Sequence, residues 1–165
     1  MKYRKTGFTL IEIIVVTGAV GLIMVALIGI VLSTFKSQNR TKAKNLVSQS
    51  GAWILSELKR DILTSGSWKI RCGSDNLSVG FTNIYNGEPT TFVCGSGKIA
   101  SNSAHPATLN DINKVMVSCG GVFVSCDTLP SSDEVSAVNF SFVLTSNILG
   151  IGASQDFDLN VTVRN

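Results

Sequence analysis

The residue most out of place in this chain of 165 residues is Glu12. It is the only ionisable side chain between Phe8 and Phe35, and Ile13 to Leu32 carries no charge. A carboxylate in an apolar helix of that length needs a partner: a polar headgroup that it reaches by bending toward the interface, or a cation on a neighbouring helix. The other residues with chemistry to offer are four cysteines, Cys72, Cys94, Cys119 and Cys126. Their number is even, no two have C-x-x-C spacing, and the single histidine, His105, is remote from all of them. That pattern points to two disulfides rather than to a zinc site.

Other signals are weaker. Gly95-Ser96-Gly97-Lys98 ends like a phosphate-binding loop, but Phe92 stands where the first glycine is required and Ile99 replaces the Ser or Thr. His105 has Ser103 and Asp111 near it in sequence, with no nucleophile motif around them, so no catalysis is expected. Asp127, Asp133 and Glu134, or Asp156 and Asp158, read as solvated loop carboxylates, because no EF-hand pattern frames them. The sequence therefore predicts neither an enzyme nor a bound cofactor or metal. The basic residues lack interleaved aromatics and a known binding motif, so no nucleic-acid partner is expected either.

The elements that position these residues follow from two periodicities. Charged residues make up 15% of the chain and apolar ones 44%, and the apolar excess is concentrated in residues 8–35. About 20 such residues in a helix span about 30 Å, the thickness of a bilayer's hydrocarbon core. The helical pattern continues past the apolar run. Val47, Gly51, Ile54, Leu55, Leu58 and Ile62 recur on one face, and Thr64-Ser65-Gly66 supplies a stop. A helix from residue 8 to about 64 would be roughly 85 Å long.

Beyond Gly66 the period becomes two. Strands are expected around Trp68-Ile70-Cys72, Leu77-Val79-Phe81, Phe92-Cys94, Val115-Val117-Cys119, Val138 to Leu144 and Phe157 to Val163. Turn-rich stretches lie at 73–76, 86–89, 95–97 and 127–133, and residues 98–113 read as loop. The predicted fold class is α+β: a long N-terminal helix, membrane-spanning in its first half, packed on a C-terminal antiparallel β-sheet.

Charge placement orients the chain. Lys2, Arg4 and Lys5 precede the apolar run, which favours a cytoplasmic N-terminus. Six cations and two acids follow at 36–61, and the basic cluster at 36–44 argues the other way. The cysteines decide for an extracytoplasmic C-terminal part, where disulfides persist. From residue 65 onward, five cations face eight acids. The basic stretch 36–44 suits anionic lipid headgroups. It also suits the acidic domain of a neighbouring copy, and reversing Lys42 and Lys44 to glutamate would then impair assembly but not insertion. An ordinary secretory signal fits less well, because Glu12 interrupts the apolar run and no small-x-small cleavage site follows.

The string Gly7-Phe8-Thr9-Leu10-Ile11-Glu12, after a short basic leader and before an uncharged run, resembles the N-terminus of bacterial type IV prepilins and of the pseudopilins of type II secretion. The close match covers about 30 residues, and helix plus antiparallel sheet extends it to a pilin-like architecture. The resemblance implies cleavage between Gly7 and Phe8 by a prepilin peptidase, N-methylation of Phe8, and an assembly role for Glu12. The Glu12 of one subunit would pair with the Phe8 amine of the next, a pair that sets register more than stability. It implies residues 1–7 as leader, 8–35 as the transmembrane and assembly half of the helix, 36–65 as its amphipathic half and 66–165 as an extracytoplasmic β domain. Its partners would be other copies or related subunits, an inner-membrane assembly platform and membrane lipid.

Gly18, Gly21, Val25, Gly29 and Ser33 form a mostly small stripe on one helix face, which lets membrane helices approach closely. Members of this family often carry a proline in this run. This chain has none, and Gly29 is the candidate soft point. For the cysteines, Cys72 and Cys94 fall on the inward parity of separate strands. Gly120-Gly121 as a two-residue hairpin would hold Cys119 and Cys126 apart, so hairpin and 119–126 bridge exclude each other. The expected pairs are 72–94 and 119–126, with an irregular loop at 120–121. Two other classes stay open: a minor subunit whose domain binds DNA or a secreted substrate, and a signal-anchored extracytoplasmic protein. Retention of Glu12 argues against a position at the filament tip.

Overall fold

A computed structural model describes residues 7–65, 69–84, 87–103, 106–129, 134–148 and 150–163. The expectations for most of the leader and for Gly66, Trp68, Asn86, His105 and Asp133 lie outside them. One helix and nine strands are described: α1 (Leu10–Leu63), β1 (Arg71–Cys72), β2 (Ser78–Thr82), β3 (Pro89–Gly95), β4 (Lys98–Asn102), β5 (Ala107–Thr108), β6 (Met116–Ser118), β7 (Val124–Thr128), β8 (Val135–Ile148) and β9 (Ile151–Thr162). The chain divides into two units, Met1–Asn39 and Arg40–Asn165.

In the first unit, α1 starts one residue after Thr9. The Glu12 N–H donates to the Thr9 carbonyl at 3.1 Å and to its hydroxyl at 3.4 Å. Thr9 is thus the N-cap, and Glu12 stands at the third helical position of a T-x-x-E string. The side chains from Phe8 to Phe35 are all exposed.

In the second unit α1 buries one stripe. Ala43, Val47, Gly51, Ile54, Leu58 and Ile62 are buried, at spacings of three and four. Its end is tied down rather than frayed. The Thr64 and Ser65 hydroxyls donate to the carbonyls of Asp61 and Ile62, and the Ile84 N–H donates to the Thr64 carbonyl. Gly51 is the point of closest approach, because a Cβ there would sit inside the ring of Phe157 on β9. Gly51→Ala is therefore expected to lose about 1–3 kcal/mol from this overpacking, read as a lower urea midpoint for the detergent-solubilised chain.

The strands form two antiparallel sheets rather than one. The first has the order β1-β2-β3-β4-β5. Its β3–β4 hairpin turns on Ser96 and Gly97 with φ of 53° and 77°, the left-handed pair that a two-residue type I′ turn requires. The second is built on β8. Strand β9 pairs with β8 from Ala137↔Thr162 to Ile148↔Ile151. Along the other edge of β8 lie β7, against residues 135–140, and β6, against residues 143–145. Strands β6 and β7 run in the same direction, so they are one strand interrupted at 119–123. The inner faces of both sheets join the helix stripe in a single core. The rings of Phe140, Phe142, Phe157 and Phe123 meet there at centroid distances of 5.5–6.2 Å.

The stretch 98–113, expected as loop, holds β4 and β5 instead. Ile99 is its one large residue in β4 that points inward. The strand is specified from outside itself. Buried Asn110 accepts the Ile99 N–H at 3.0 Å and donates to the Gly97 and Val115 carbonyls at 3.1 and 2.8 Å. A buried amide with three partners replaces the apolar alternation that marks an ordinary strand.

Candidate functional site

The candidate site is the start of α1. By length and composition this helix is able to span a membrane. The hydroxyls of Thr17 and Thr34 donate back to the carbonyls of Ile13 and Ile30 at 2.9 Å, so the helix satisfies its own polar side chains there. Glu12 is different. Its carboxylate has no hydrogen-bonding or ionic partner among the described residues, and it lines a shallow groove of about 190 Å³ with Phe8, Ile13, Val16 and Thr17. Phe8 and Glu12, one helical turn apart, therefore sit together on one side of the chain. Gly18, Gly21 and Gly29 are exposed, with nothing within 4 Å of where a Cβ would be. The stripe expected from their spacing is thus an open surface.

Sequence reasoning missed the Thr9 cap, although its signal, Thr followed three residues later by Glu, is plain in the string. The T-x-x-E string gives position 12 a second, purely local preference for Glu or Gln.

Past the apolar run, Lys36, Arg40, Lys42 and Lys44 are exposed and enter no ion pair among the described residues. The described acids show mostly local ties. Asp75 accepts the Leu77 N–H and the Ser78 hydroxyl, the first chiefly holding its carboxyl below the usual range. Asp111 is lowered in the same way, first by Lys114 at 3.0 Å and then by the Asn113 N–H. Asp127 accepts from the Asn139 amide at 3.0 Å. No group of three or more His, Cys, Asp or Glu side chains gathers among the described residues. Gly95 to Lys98 is the β3–β4 hairpin.

The four cysteines form two disulfides, but the expected pairs are wrong. Cys72 joins Cys126 and Cys94 joins Cys119, with Cα atoms 6.0 and 6.5 Å apart. Geometry excludes the alternative. Cys72 on β1 and Cys94 on β3 are separated by β2, about 9.5 Å across two strand spacings and beyond a disulfide's reach. Cys126 is opposite Val138, and Cys119 follows Ser118, which is opposite Val143. The two cysteines are thus about 13 Å apart along one edge of β8. No β6–β7 hairpin forms, since both strands run the same way along β8. Each bridge instead joins the first sheet to the second.

Compared with known protein families, with characterised proteins and with solved structures, the chain matches none.

Proposed function

We propose that this chain is a membrane-anchored filament subunit, made as a precursor and assembled through its N-terminal helix. More particularly, it would be a prepilin or pseudopilin of a type IV pilus-like or type II secretion filament. The peptidase would cut after Gly7, and Phe8 would become the methylated N-terminus. The observation that carries this reading is Glu12: a carboxylate without a partner among the described residues, in a run of exposed apolar side chains, one turn from Phe8. A carboxylate so placed is costly in lipid unless another molecule supplies a cation. The amine released beside Phe8 is such a cation, and methylation keeps its charge.

In this reading the leader stays in the cytoplasm and residues 66–165 stand outside the membrane, where oxidation closes both bridges. The subunit binds the peptidase and the assembly platform through its helix and uses two different surfaces toward its neighbours, which yields an open filament. The domain is structural and has no catalytic task.

The test is the intact mass and N-terminal fragment spectrum of the chain purified from membranes of cells that make the peptidase. The expected product begins at Phe8 and carries one added methyl group. A chain that still begins at Met1 would leave a plain signal anchor.

A further inference from the structure

We infer that the outward faces of the two sheets are complementary docking surfaces, the acidic face of one copy seating on the cationic face of the next. This rests on the filament reading and names the surfaces it would use outside the membrane.

Side chains alternate across a strand, so the register determines which residues share a face. On the first sheet, Val79, Phe81, Phe92, Cys94 and Ile99 are buried. The alternate positions face outward. Within the strands they carry Arg71 and Lys98 and no acid. On the second sheet, Val138, Phe140, Phe142, Leu144, Phe157 and Val161 are buried. Its outward positions carry Asp127, Asp156 and Asp158 and no cation. All five charged side chains are exposed, and none enters an ion pair among the described residues. Within the described strands, charge is thus separated by sign between the two outward faces, and no ion pair joins one face to the other.

The relief of the faces also fits. Glycine at position 80 leaves a groove of about 410 Å³ between Arg71 and Thr91, room for a short acidic side chain beside the guanidinium. The acidic face is low, with Ser141 and Ser154 among its outward residues. Each face adds one exposed apolar side chain, Val93 on the cationic face and Met116 on the acidic one.

The signs dictate the symmetry. A two-fold contact sets a patch against itself, and here that would oppose like charges. Only a head-to-tail contact pairs the two faces, and it leaves one of each open for further copies. The five strands, two to seven residues long, give roughly 300–400 Å² per partner. That is about half of what a standing interface needs, so the faces orient copies that the helices hold.

The experiment uses the full chain in cells that assemble it. Reversal of one face (Arg71→Glu with Lys98→Glu) and of the other (Asp156→Lys with Asp158→Lys) are each expected to lower sheared filament yield about tenfold. Combining both reversals is expected to restore the yield. Disulfide mapping checks that each variant folds. Separately, a benzophenone side chain placed at Thr91 is expected to crosslink to residues 137–162 of a second copy. Normal filaments from both reversals, failure of the combination to restore yield, or crosslinks that miss that segment would overturn the pairing. Those results leave the filament reading standing. A wild-type chain that makes no filament sinks that reading instead, and the crosslink in membranes still decides the pairing.

Discussion

Replacing Glu12 with glutamine is expected to abolish filament assembly while leaving membrane insertion and cleavage after Gly7 intact. Glutamine is chosen because two explanations of Glu12 compete. As the residue three beyond the Thr9 cap, it would serve the helix start through a side-chain acceptor, a role that glutamine fills as well. As a charge awaiting a cation from the next subunit, it has no substitute. Removing one member of a desolvated pair costs about 3–5 kcal/mol, because the other charge is left bare. That corresponds to two or more orders of magnitude per contact, repeated at every subunit, and sheared filament yield should fall to background. Glu12→Asp should assemble weakly, since it keeps the charge on a shorter arm. Glu12→Gln filaments at wild-type yield would leave only the capping role.

The second large effect is on the stability of the β domain. Serine at both Cys72 and Cys126 opens a bridge that spans 54 residues, and serine at both Cys94 and Cys119 opens one that spans 25. By the loop-entropy relation these bridges contribute about 4 and about 3.5 kcal/mol. Either loss is a large share of the 5–15 kcal/mol that holds an ordinary domain. The expected result is a marked drop in the urea midpoint for each double variant and no cooperative transition when both bridges are removed. A non-reducing digest should yield 72–126 and 94–119 peptides. Recovery of a 72–94 peptide would contradict the β1-β2-β3 order of the first sheet.

What was legible in the sequence is what depends on short-range periodicity. The helix ends were expected near 8 and 64 and lie at Leu10 and Leu63. The stripe from Val47 to Ile62 faces the core, with Leu55 half-buried at its margin. Val79, Phe81, Phe92, Cys94, Val138, Phe140, Phe142, Leu144 and Phe157 all face inward, as their alternation implies. At the candidate site, Glu12 and the exposed glycines were visible for the same reason: a charge or a gap in an apolar run is a local event.

The illegible parts depend on which strand lies beside which. Parity placed Cys72 and Cys94 on inner faces correctly, and that alone made a bridge between them look natural. It carried no information that β2 runs between them. Strand β4 escaped notice because its neighbours, a tight turn and the Asn110 amide, do the work that hydrophobic alternation does elsewhere. The split into two sheets falls between β5 and β6, where no periodicity marks a change of partner.

That split sets the order in which the domain is able to form. Among the described residues, β6 and β7 pair with no strand except β8, which comes later in the chain, and otherwise their backbone only touches the turns at Gly97 and Asn76. A growing or translocating chain therefore carries two unpaired strands and two waiting thiols, Cys119 and Cys126, until residues 135–148 follow. The first sheet can fold as it emerges, since each of its strands pairs with a close sequence neighbour. The second folds all at once, when its last hairpin arrives. Between those two events Cys72 and Cys94 are held on opposite sides of β2, which keeps each thiol available for the partner that comes last.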